Sequence, residues 1–76
     1  MKHLKLIRLR KERGLSQEEV GAQAGLSRMT VSTAESGRQV GFKAAKKLES
    51  FFSVRLYNVS DDGRMVILED NLDRIG

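Results

Sequence analysis

Three glycines, Gly14, Gly25 and Gly37, cut the first half of the chain into short pieces, and serine follows two of them two residues later, at Ser16 and Ser27. Glycine takes the left-handed conformation just past a helix at little cost, and serine accepts the free N–H groups that open one. The pattern reads as a succession of short helices. Leu4, Ile7 and Leu9, with Lys2, Lys5, Arg8 and Lys11 between them, form a first amphipathic helix ending near Arg13. A second runs from about Gln17 to Ala24 and turns Val20 and Ala24 inward. It opens on a capping box, since Glu19 stands three residues after Ser16. Gly25 breaks it, Leu26 plugs inward, and Ser27 caps a third helix over residues 28–36. The loop Arg38-Gln39-Val40-Gly41 leads to a fourth helix, roughly Phe42 to Phe52, with Phe42, Ala45, Leu48 and Phe52 on one stripe.

The character then changes. Residues 54–59 (VRLYNV) and 64–69 (RMVILE) are rich in branched and aromatic side chains, and Ser60-Asp61-Asp62-Gly63 between them is a strong turn signal. The expected fold is mainly α, with four helices in residues 1–54. A β-hairpin and a short polar tail follow in residues 55–76.

A chain of 76 residues has room for one small domain. It buries only ~60% of its unfolded surface, which makes self-association an expected source of stability. Eight-stranded barrels and doubly wound sheets are excluded by size. There is no cysteine and a single histidine, His3, close to the start. Disulfides and a protein-only zinc site are therefore excluded, and neither a metal nor a cofactor is expected. The net charge of +4 is unevenly spread: residues 1–55 carry +7 and residues 56–76 carry −3. A basic body with an acidic end points to a polyanion, nucleic acid first, for the body and a different task for the tail. No apolar run approaches the ~18 residues of a membrane helix, and the first residues lack the apolar stretch of a signal peptide. A cytoplasmic location is expected.

The most informative stretch is residues 17–36, QEEVGAQAGLSRMTVSTAES. Two short helices joined at Gly25 cross steeply only if their contact residues are small. Gly21 and Ala24 supply that closeness, while Val20, Leu26 and Val31 fill the wedge. This is a helix-turn-helix arrangement, whose second helix is presented to the DNA major groove. Over residues 4–54, including LRKERGLSQEEVGAQAGLS and the later ESGR, the chain resembles the lambda-repressor-like, Xre-type DNA-binding family. A fifth helix, usual in that family, is replaced by the hairpin.

The resemblance implies a set of contacts with double-stranded DNA. Gln17, with Ser16, stands where the family clamps a phosphate at a helix start. Ser27, Arg28, Met29 and Thr30 occupy the exposed start of the recognition helix, and Ser32 and Thr33 lie one turn further on. Arg28 matches a position that forks two donors onto guanine, and Met29 or the Thr33 methyl touches thymine. Arg38 and Lys43 resemble later phosphate contacts, with Lys46 and Lys47 as weaker candidates. Arg10 and Glu35 match an ion pair that fixes the recognition helix against the first one.

Enzyme motifs are missing: there is no nucleophile elbow, phosphate loop or metal-ligand spacing. The function expected is a transcriptional regulator, by default a repressor on a palindromic operator. The alternative is the antitoxin of a toxin–antitoxin pair, which binds its operator and a toxin protein. The hairpin is the expected dimerisation element. A three-residue Asp61-Asp62-Gly63 turn sets Val59 opposite Met65, Tyr57 opposite Ile67, Leu56 opposite Leu68 and Arg55 opposite Glu69. Apolar side chains then occupy both faces: Tyr57, Val59, Met65 and Ile67 on one, Val54, Leu56, Val66 and Leu68 on the other. Four helices cover one face, and a second copy of the chain is the expected cover for the other.

Overall fold

Four short helices and a hairpin follow one another in the computed structural model, which describes residues 1–68. They are α1 (Leu4–Glu12), α2 (Gln17–Ala24), α3 (Arg28–Glu35), α4 (Phe42–Phe52), β1 (Tyr57–Val59) and β2 (Met65–Ile67). Leu6, Val20, Val31, Ala34, Ala45, Leu48, Phe52, Leu56 and Tyr57 form the buried core. Every element contributes to it except β2, whose Met65 and Ile67 pack partly buried against its surface.

Helix α2 opens as expected. The Ser16 hydroxyl accepts the Glu19 N–H at 3.0 Å, and the Glu19 carboxylate accepts the Ser16 N–H at 2.8 Å. Gly25 ends it in the left-handed conformation at φ 81°. Closeness at the α2–α3 corner is real: a Cβ on Gly21 would sit 2.6 Å from the Leu26 carbonyl oxygen. Lys47 reaches back from α4 to donate to the Gly25 carbonyl at 3.2 Å, a cation where the carbonyl end of α2 favours one.

Two apolar stripes differ from the sequence reading. On α1 the residue in the core is Leu6, fully buried, while Leu4 is 65% exposed. The inward row is His3, Leu6 and Leu9 with Arg10, so polar side chains disguise it. On α4 the stripe holds at Ala45, Leu48 and Phe52, but Phe42 is 57% exposed. Phe42 stands in the first turn, where Lys46 lies over its ring at 5.5 Å.

His3 is fully buried and caps α1, its Nδ1 accepting the Leu6 N–H at 3.4 Å. Its Nε2 lies 3.2 Å from the Leu56 carbonyl oxygen, and its ring meets Tyr57 edge-on at 5.1 Å. The tautomer with its proton on Nε2 satisfies both hydrogen bonds.

The hairpin has the expected register, with Tyr57 opposite Ile67 and Val59 opposite Met65. Leu68 donates to the Leu56 carbonyl at 3.0 Å, and Gly63 is left-handed at φ 86°. The expected Arg55–Glu69 pair lies outside the described residues. The hairpin folds back onto the helices, and its base is gripped on both faces. Leu56 is fully buried and Tyr57 is 6% exposed. These two of the eight residues expected at a dimer interface are core of the single chain. The reason is Glu49 of α4, whose carboxylate accepts the N–H groups of Leu56 at 2.9 Å and Tyr57 at 3.1 Å. The helix body therefore shields the strand roots, leaving Val59 and Val66 outside at 53% and 52% exposure.

Glu49 stands in the last turn of α4, where the helix dipole disfavours a carboxylate. Burial pushes its pKa up, but the two backbone N–H groups, with Lys46 and Arg55, outweigh burial and hold it below the usual glutamate value. Such a group contributes stability above the unfolded pKa, about 4.3, and loses it as pH falls through the folded value. Glu49→Ala should cost about 1 kcal/mol at neutral pH by orphaning two part-buried donors. In thermal melts, the gap between variant and wild type should narrow at pH 3. A gap independent of pH would remove the carboxylate's charge from the account.

Candidate nucleic-acid interface

The N-terminus of α3 is built against its own stability. Arg28 holds the first helical position, where the dipole disfavours a cation, and there is no acidic residue in that turn. Beside it Met29 is 69% exposed, which excludes a role as core filler. Surroundings hold this end in place. The Ser27 hydroxyl accepts the Thr30 N–H at 3.1 Å and lies 3.0 Å from the Thr30 hydroxyl. With Val31 and Ala34 buried in the core, Arg28 and Met29 stand exposed at a capped helix start. Ser32 and Thr33, one turn further on, are half-buried.

One carboxylate ties three helices together behind this surface. Glu35, at the end of α3, receives Arg10 of α1 through Nε at 2.5 Å and Nη2 at 3.1 Å. It also receives the Gln17 side-chain amide of α2 at 3.0 Å. Arg10 donates further to the Leu15 carbonyl at 2.9 Å. The pair is nearly dry, with side-chain exposures of 15% and 5%. The hydrogen bond to Glu35 raises the Arg10 pKa above its ordinary value against the opposing effect of burial.

The structure thus brings Arg10 and Glu35 together and holds Ser27, Arg28, Met29 and Thr30 at one helix start. Ser16 is exposed with its hydroxyl in the capping box. Arg38 and Lys43 are exposed, on the loop after α3 and in the first turn of α4. In the free chain the Gln17 amide is turned inward onto Glu35, so contact with a phosphate would require it to leave that carboxylate. The start of α2 also carries Glu18 and Glu19; Glu19 is occupied by the capping box, and Glu18 is exposed. Two positioning residues escaped sequence reading, His3 and Glu49. Only Glu49 carried a signal, an acid at the wrong end of a helix.

A family model described as Helix-turn-helix matches residues 6–57, more than half of the chain. The chain belongs to this lambda-repressor-like, Xre-type family of DNA-binding transcription regulators. No curated protein and no solved structure matches it. No helix of the described residues is long and apolar enough to cross a membrane.

Proposed function

We propose that this chain is a sequence-specific repressor that binds double-stranded DNA in the cytoplasm, as a homodimer on a palindromic operator. The observation carrying this reading is the exposed Arg28–Met29 pair at the rigid start of α3. A cation there opposes the helix dipole, and together with an exposed large apolar side chain it serves a partner with acceptors and methyl groups on its edge. The major groove offers both. Repression is the simplest consequence of such binding, since a protein seated on a promoter blocks its use. Two copies would set their α3 helices about one helical turn apart, ~34–36 Å.

The test begins by selecting bound duplexes from a random pool. On the winning site, Arg28→Ala should cost ~1–3 kcal/mol and relax the preference at one base position. Lys43→Ala should instead weaken all sequences alike and flatten the salt dependence by about one unit. Wild-type behaviour of both variants on specific and random DNA would overturn this docking.

A further inference from the structure

Three parts of the fold meet at His3. Its backbone N–H donates to the Glu35 carbonyl at the end of α3, at 3.0 Å, and its own carbonyl accepts the Ile7 N–H at 3.1 Å. Its Nδ1 accepts the Leu6 N–H in the first turn of α1, and its Nε2 donates to the Leu56 carbonyl at the root of the hairpin. The Tyr57 ring stands edge-on to it, with the two planes at 88°. The residue is fully buried, so its ring depends on protein partners.

Both ring bonds require the neutral form. An imidazole accepts at one nitrogen and donates at the other, whereas an imidazolium donates at both. A proton on Nδ1 would face the Leu6 N–H, donor against donor, and would bury a charge besides. Among the described residues, the charged groups on the surrounding elements are already engaged or of the wrong sign. On α3, Glu35 is held by Arg10 and Gln17. On α4, Glu49 is held by the N–H groups of Leu56 and Tyr57. Lys2 and Lys5 beside it in the sequence, Arg10 on α1 and Arg55 before β1 are cations. The Tyr57 phenol stays neutral in acid, since burial pushes its pKa up to about 12.

We infer that His3 is a proton-operated latch. Neutral, it ties α1, the end of α3 and the hairpin root into one body. Protonated, it leaves the cap and lets go of Leu56 and Tyr57. The α2–α3 corner does not depend on this ring, because the Ser16–Glu19 box, the Ser27 cap and the close approach at Gly21 act locally. Acid therefore frees the hairpin root and slackens the end of the recognition helix while the corner persists. Unfolded, the ring titrates near pH 6.5. A histidine kept neutral by the fold contributes its full stability above that pH and loses it as pH falls below. Glu49 loses its own contribution only below about 4.3, so the two titrations are separate.

Nuclear magnetic resonance of the full chain from pH 7.5 to 5.0, at fixed ionic strength, tests the latch. The His3 ring should take up its proton below pH 6.5. Protection of the Leu6 and Leu68 amides, corrected for intrinsic exchange, should then fall by nearly tenfold per pH unit, the limit for one proton, and that of Val31 in α3 by less. His3→Asn keeps a side-chain acceptor for the cap and has nothing to titrate, so its protection should change less than twofold. On the duplex selected from the random pool, wild-type affinity should fall at least threefold further than that of His3→Asn between pH 7.5 and 5.5. A ring that protonates at or above pH 6.5, or hairpin protection that ignores pH, would overturn the latch. So would a His3→Asn chain with the pH dependence of wild type. The ring titration is read on wild type, so the outcome does not depend on the variant folding. The ring and amide readings need no DNA, and a chain that selects no duplex defeats the operator reading alone.

Discussion

Glu35→Leu is expected to lower stability by ~3–5 kcal/mol, because it leaves the Arg10 guanidinium charged and nearly dry against an apolar side chain. For a domain of this size that corresponds to a melting midpoint lower by at least about 12 °C. Arg10→Met should cost a similar amount by stranding the carboxylate. The double variant should recover most of the loss, since it removes both charges from a place poorly suited to either. Gln17 makes the three melts more informative. Its amide loses the Glu35 acceptor in both variants lacking the carboxylate, and being only partly buried it turns to water at little cost. Near-zero, additive shifts of ~0–1 kcal/mol would mark the pair as an ordinary surface contact.

Leu6→Ala should cost ~2–5 kcal/mol, while Leu4→Ala, two residues away, should stay within ~0.5 kcal/mol. Leu6 is fully buried and Leu4 is 65% exposed. The first truncation opens a cavity among the core residues, and the second removes atoms already in water. Chemical denaturation of both variants decides the orientation of α1. Equal losses would show that the helix is rotated from the placement described.

Those two leucines also show where the sequence was legible. Helix boundaries were readable because they are local: Gly25 and the Ser16–Glu19 box act on their own neighbours, and the turn at Gly63 fixes the hairpin register by backbone geometry alone. The inward face of α1 was not. Half of its row is His3 and Arg10, polar residues satisfied by groups far along the chain. Arg13 donates to the carbonyls of Phe51 and Phe52 at 3.2 and 3.4 Å, which no apolar periodicity reveals. The site divides in the same way. Arg28, Met29 and the Arg10–Glu35 pair were visible through their positions in a known pattern. The inward turn of Gln17 depends on the distance between α2 and the end of α3, a tertiary quantity. The burial of Leu56 and Tyr57 depends on Glu49, whose partners are backbone groups and leave no trace in composition.

The contact between His3 and Leu56 spans 53 positions, and it gives the chain an order of assembly. Synthesis delivers α1 before the hairpin, yet the capping ring of His3 finds its second partner only when the segment before β1 has emerged and packed beneath it. Closing so long a loop is slow relative to forming the α2–α3 corner, whose partners are near neighbours. A nascent chain stopped before residue 56 would hold its recognition helix in outline, with the His3 ring lacking its Leu56 partner and Tyr57 missing from the core. The first helix therefore gains its full set of partners only after the segment at Leu56 has emerged and packed.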